Sequence, residues 1–169
     1  MPEPVFTVAN QLTMLRMALV PAFVLLVLAR EFSWALVVFV VAGLTDALDG
    51  YVARHANQST RLGAMLDPVA DKLLAGSAYV VLTWSSVVSC TIPVWLTVTL
   101  LFRDAMIVVG VVVVNLTVGP REFSPSRLGK ISTALIIANG AAALAANATG
   151  DCPAALRWLY GVTLAVLIG

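Results

Sequence analysis

The chain has 169 residues, 60% of them apolar and only 11% charged, with a formal net charge of +1. That balance excludes an ordinary water-soluble globule, whose surface needs more polar residues than are present, and the scattered Lys and Arg offer no basic segment for nucleic acid. Stretches without a single charge, Met17–Ala29 and Met106–Val118, point to lipid as the solvent.

In chain order, the first residues, with Pro2 and Pro4 and then Phe6, Val8 and Asn10, read as a short interfacial lead-in. Glu3 stands where a secretory leader would carry bases, and no small-residue cleavage pattern follows, so the first apolar segment is expected to stay in the protein. A helix needs about 20 mostly apolar residues to cross the hydrocarbon layer. On that ruler six transmembrane helices are predicted, at residues 12–30, 33–54, 62–85, 93–117, 128–149 and 153–169. Runs of this length are too long for the alternating strands of a membrane barrel. The expectation is a single all-α integral membrane domain over residues 1–169.

Arg54, His55 and Arg61 flank the second break, and Arg121, Arg127 and Lys130 flank the fourth, against Arg30 and Arg157 on the opposite side. An excess of bases marks the cytoplasmic face, so both termini are expected in the cytoplasm. His55 reads as a solvated residue of that basic break. Cys90 and Cys152 fall in the third and fifth breaks, together on the outer side. Two free thiols are the simpler expectation and a disulfide the alternative. Ala141–Ala148 reads as a helix face for close packing.

The informative stretch is Asp46-Ala-Leu-Asp-Gly-Tyr-Val-Ala-Arg54, followed after eight residues by Gly63-Ala-Met-Leu-Asp67-Pro-Val-Ala-Asp71. Asp46, Asp49, Gly50, Ala53 and Arg54 share one face of a helix with a period of 3.6 residues, and Gly63, Asp67 and Asp71 share another. A short break between them turns the chain back, so the two faces can meet and gather four carboxylates. One acid at the centre of a bilayer helix costs about 2.5–3.5 kcal/mol on insertion scales, and four need an offset. Two divalent cations supply it. Carboxylate-only ligation suits Mg²⁺ or Mn²⁺, and the lack of a His or Cys cluster argues against zinc. Gly50, Ala53 and Gly63 leave room on the reacting face for a nucleotide-sized group, and the planar fork of Arg54 suits a phosphate oxygen.

The pattern Asp-x₂-Asp-Gly-x₂-Ala-Arg-x₈-Gly-x₃-Asp-x₃-Asp resembles the signature of the CDP-alcohol phosphatidyltransferase family at all eight specified positions. Asn10-Gln-Leu-Thr-Met-Leu-Arg16 resembles the family's opening segment, and Leu128-Gly-Lys130 with Thr133 a later one. The resemblance implies that Asp46, Asp49 and Asp67 hold two metal ions and that Asp71 both reaches one and acts as general base. It further implies a nucleotide and donor site at Asn10, Asp49, Gly50, Ala53, Arg54 and Gly63, and an active site open to the cytoplasm. The implied reaction moves a phosphatidyl group from CDP-diacylglycerol to an alcohol acceptor and releases CMP, in a membrane-bound homodimer.

Acceptor choice is expected to depend on cations away from the metals, namely Arg103, Arg121, Arg127 and Lys130. By local wording the chain resembles phosphatidylglycerophosphate synthases first, which implies glycerol 3-phosphate as acceptor. Cardiolipin synthases, which use phosphatidylglycerol, follow closely, and Arg103-Asp104 looks more like theirs. Arg103 has a blander reading as the structural partner of adjacent Asp104 or of another intramembrane acid. Arg121 and Arg127 can equally be topology signals. A reading from a different class is an intramembrane cation transporter, but repeated halves and interrupted spans are missing from the sequence. A catalytically dead lipid-binding relative is weaker still, because every acid is retained.

Overall fold

The computed structural model describes the backbone of residues 8–56, 61–117 and 127–168, and side chains within 14–45, 72–110 and 131–168 together with residues 113, 117 and 129. Six helices occupy that backbone: α1 Val8–Leu28, α2 Phe32–Ala56, α3 Arg61–Trp84, α4 Val94–Thr117, α5 Arg127–Thr149 and α6 Ala155–Ile168. Among the described residues there is no strand. Helix number and order agree with expectation. The lead-in does not extend as far as expected: Val8 and Asn10 already lie in α1, because the prolines that argued for an irregular start precede them. Residues 1–7 lie outside the described residues.

Local hydrogen bonding explains the first chain reversal. The amide of Glu31 bonds the carbonyl of Leu26 at 2.9 Å and that of Arg30 bonds Val27 at 3.0 Å, so the last carbonyls of α1 are satisfied by a tight cap. That cap needs a left-handed residue, and Arg30 takes it with φ of 63°. Glu31 then accepts from the amide of Ala35 at 2.9 Å and starts α2. At the end of α5 the same left-handed position is filled by Gly150, at φ of 73°.

Paired contacts give the helix directions. Phe23 of α1 meets Phe39 of α2 with ring centroids 5.8 Å apart. Arg16, seven residues earlier on α1, lines a small cavity with Ala42 and Gly43, later on α2, so the two run antiparallel. Leu74 and Ala75 of α3 line the same cavity, as does Ile137 of α5. Tyr79 donates to the carbonyl of Ile136 at 3.0 Å, and Asn147 grips the chain at Cys90, so α3 and α5 run parallel. Asn139 donates to Thr163 at 2.6 Å inside the bundle, which sets α6 back along α5. The core between them is apolar, with Phe23, Val27, Tyr79, Leu82, Leu96 and Leu144 all buried.

α5 packs against α2, α3 and α6, and its small residues let neighbours come close. A Cβ on Gly140 would stand 2.9 Å from Cζ of Phe39, so the ring of α2 occupies that space. Ala143 and Ala146 are buried, in keeping with the expected close-packing face.

One end of the bundle is fastened. The expectation of free thiols is corrected here: Cys90 and Cys152 form a disulfide, with Cα atoms 5.6 Å apart, because the chain reversals after α3 and α5 lie side by side. Asn147 holds the same place. Its side-chain oxygen accepts from the amides of Ser89 and Cys90, each at 2.9 Å. Its amide donates to the carbonyls of Cys90 at 3.0 Å and Ala143 at 2.8 Å.

All four tryptophans cluster at this level along the chain. Trp34 opens α2, Trp84 ends α3, Trp95 opens α4 and Trp158 opens α6, and their exposures run from 45% to 80%. Exposed indole rings near helix ends match the aromatic girdle of a membrane interface. Between that level and the other end, large apolar side chains such as Phe102, Met106, Ile107, Val108 and Val109 of α4 are exposed. Among the described residues one helical stretch, Ile131–Thr149, is long and apolar enough to cross a membrane, while Met14–Leu28, Phe32–Thr45 and Ala155–Ile168 are apolar but shorter.

Candidate functional site

Away from the disulfide, the acid-bearing segments lie on two helices that both pack against α1. Asp46, Asp49, Gly50, Ala53 and Arg54 fall in the last three turns of α2, and Gly63, Asp67 and Asp71 in the first three of α3. Both segments are helical as the spacing requires, and helical period puts each set on one face. The side chains of residues 46–71 lie outside the described residues, as does that of Asn10 in the first turn of α1. Among the described residues no three His, Cys, Asp or Glu come together.

The layer beneath this segment is built from residues one helical turn away. Gly43 precedes Asp46 by one helical turn, and Leu74 and Ala75 follow Asp71 by one turn. These residues, with Phe39, Ala42 and Ile137, line one small cavity together with Arg16. Arg16 is 1% exposed, the bulkiest of the fully buried side chains, and it is engaged by a neighbour. A guanidinium at this depth is costly unless acids lie near it. In the sequence Arg16 closes the opening segment that begins at Asn10. The signal that marks it is its solitude, as the one charge between Val5 and Ala29.

Arg103 and Asp104 sit on α4, level with Lys72 of α3. The idea that Asp104 neutralises adjacent Arg103 is corrected: Asp104 pairs with Lys72, Nζ to Oδ1 at 2.6 Å. Consecutive residues on a helix point about 100° apart, so they face different neighbours. Arg103 is half-buried and makes no hydrogen bond or ion pair with a described residue. Arg127 and Lys130 lie in the first turn of α5, at the same end of the bundle as the ends of α2 and α4; their side chains, and Arg121 and His55's side chain, lie outside the described residues. The backbone thus brings the helix ends that carry the acids and the bases of α5 to one end, opposite the disulfide, while Arg103 lies near the middle of α4.

Donor chemistry decides what such a site suits. Four carboxylates with no thiolate or imidazole among them would form a hard-oxygen set, which fits Mg²⁺ or Mn²⁺ and does not fit zinc.

Residues 6–168 match the family model described as CDP-alcohol phosphatidyltransferase. The chain is 38% identical over 160 residues to the cardiolipin synthase (CMP-forming) of Homo sapiens, covering 85% of this chain and 52% of that protein. It is 44% identical over 115 residues to the cardiolipin synthase (CMP-forming) of Streptomyces coelicolor, covering 64% of this chain and 52% of that one. A probable phosphatidylglycerophosphate synthase of Mycobacterium tuberculosis is 38% identical over 129 residues, which is 72% of this chain and 57% of that protein. The chain spans about half the length of the curated relatives it matches.

Proposed function

The chain belongs to the CDP-alcohol phosphatidyltransferase family, and we propose that it transfers a phosphatidyl group from CDP-diacylglycerol to an alcohol acceptor with release of CMP. The observation that carries this reading is the eight-position motif, set on two helices that pack on a common neighbour, α1. The exposed apolar residues and the tryptophan girdle support a membrane-embedded bundle, whose six helices cross the bilayer with both termini in the cytoplasm. A disulfide persists in an oxidising compartment, so Cys90–Cys152 supports an outward-facing end there and a cytoplasmic active site opposite.

Asp46, Asp49, Asp67 and Asp71 would hold two divalent ions, which when bound neutralise charge on the diphosphate and on the leaving group. Everything else is done by the chain. Gly50, Ala53 and Gly63 line the cytidine pocket, with Asn10 near the diphosphate. Arg54 pairs with a phosphate oxygen and orients the donor. Asp71 accepts the proton of the acceptor hydroxyl as that oxygen attacks the phosphorus bearing diacylglycerol. A new P–O bond forms, the bond to the CMP phosphate breaks, and CMP departs. Arg16, one turn below Asp46 and Asp71, supplies a fixed positive charge beneath the acids.

The acceptor carries a phosphate, for which Arg103, Arg121, Arg127 and Lys130 form the anion pocket. Phosphatidylglycerol is the first reading, supported by the Arg103-Asp104 wording and by the cardiolipin synthases of human and Streptomyces. Glycerol 3-phosphate is the second, supported by the opening Asn10-Gln-Leu-Thr and by the Mycobacterium relative. The deciding experiment uses purified protein in detergent with CDP-diacylglycerol, Mg²⁺ or Mn²⁺ and a panel of acceptors. CMP release with phosphatidylglycerol and formation of cardiolipin are expected; no CMP with any acceptor sinks the transferase reading.

A further inference from the structure

α3 and α4 meet along an antiparallel seam with three rungs. The hydroxyls of Thr83 and Thr97 are 2.6 Å apart. Gly76 faces Leu101, whose Cδ2 lies 3.5 Å from where a Cβ would stand. The third rung, at the end nearest the acids, is the Lys72–Asp104 ion pair at 2.6 Å, with the two side chains 35% and 14% exposed. The first two rungs are ordinary packing. The third is charged and partly exposed.

Its neighbours suggest what it does. Lys72 directly follows Asp71 on α3, and Asp104 directly follows Arg103 on α4. The pair therefore ties together the turn that carries the proposed base and the turn that carries the proposed anion-binding cation. It also sets the local charge. Lys72 and Asp104 cancel, so the net positive charge of the three side chains rests on Arg103, which has no ion pair with a described residue.

We propose that Lys72–Asp104 is a positioning pair for the acceptor: it holds the Asp71 turn of α3 at a fixed distance from Arg103 and leaves the charge of Arg103 available to the acceptor's phosphate. The inference rests on the transferase reading and adds to it residues that touch neither substrate. Geometry of this sort matters to rate, because displacing a reacting group by about 1 Å can cost about 100-fold.

The test is initial-rate kinetics on the full chain in detergent, varying phosphatidylglycerol or glycerol 3-phosphate at saturating CDP-diacylglycerol and then the reverse, with Tm recorded for each variant. Asp104→Asn and Lys72→Met are each expected to raise the acceptor KM about tenfold and to move the donor KM less than about twofold. The exchanged pair, Lys72→Asp with Asp104→Lys, is expected to return the acceptor KM to within about threefold of the starting value. Should Asp104→Asn fail to fold, Asp104→Glu keeps the charge, shifts the geometry, and is expected to raise the acceptor KM at unchanged Tm. A plain structural brace would instead move donor and acceptor KM together with Tm, and that result overturns the proposal. So does an exchanged pair that recovers Tm but not the acceptor KM, or an acceptor KM indifferent to every variant. Absence of CMP release by the unsubstituted chain removes the transferase reading and the positioning pair together, whereas normal release with an unmoved acceptor KM removes the pair alone.

Discussion

The two ends of this bundle are built on different principles. At the disulfide end, polar groups are paired with one another and the chain reversals are tied covalently: Asn147 makes four hydrogen bonds, and Cys90 is bonded to Cys152. At the other end the motif places four acids on two helices, with a buried arginine in the layer below. Paired polar groups stabilise. Like charges crowded into apolar surroundings do not, and they persist where function requires them. The contrast predicts that substitutions at the fastened end act on stability and those at the acidic end act on turnover.

The largest expected effect is at the acids. Asp71→Asn should lower CMP release by about 10³-fold, within the range for loss of a general base, while Mg²⁺-dependent binding of CDP-diacylglycerol stays within about threefold. Equal losses of binding and turnover would show Asp71 to be chiefly a metal ligand. Next comes Asn147→Ala, which leaves the amides of Ser89 and Cys90 and the carbonyl of Cys90 without their partner. Leaving buried polar groups unsatisfied costs about 1–3 kcal/mol each at most, so a loss of about 3 kcal/mol is expected in a denaturation assay, with turnover unchanged at low temperature. A fall in turnover without a fall in stability would break the division between the ends.

Smaller again is Gly140→Ala, whose added methyl meets the ring of Phe39. A cost of about 1–2 kcal/mol is expected, and Phe39→Leu in the same chain should recover part of it by vacating the space. The smallest effect is expected from Cys152→Ser. A disulfide typically contributes about 2–4 kcal/mol, but Asn147 already fixes the loop at Cys90, so the single change should cost about 1 kcal/mol. Combining it with Asn147→Ala should cost more than the two changes added. Strict additivity would mean that bridge and amide act independently.

Periodicity makes much of this molecule legible in its sequence. The apolar runs marked six helices because a segment in lipid must satisfy its backbone internally, which leaves helix as the economical form. Acids at steps of three and four marked their own helical faces, because the period of the helix sets which residues share a side. What linear spacing does not carry is contact between segments far apart in the chain. Asp104 stands beside Arg103 in sequence but bonds Lys72, 32 residues away, because helix geometry turns consecutive side chains apart and the α3–α4 seam brings distant ones together. Cys90 and Cys152 could be assigned to the same side but not to each other.

By itself, then, the sequence determined the helical class and the family motif, since each follows from local composition and from spacings of three, four and eight residues. Tertiary structure alone decided that Arg16 is buried one turn below the acids, that Asn147 and the disulfide close the opposite end, and that Asp104 belongs to Lys72. Those are consequences of which helices pack together and in which direction, and packing depends on the whole bundle rather than on any one segment.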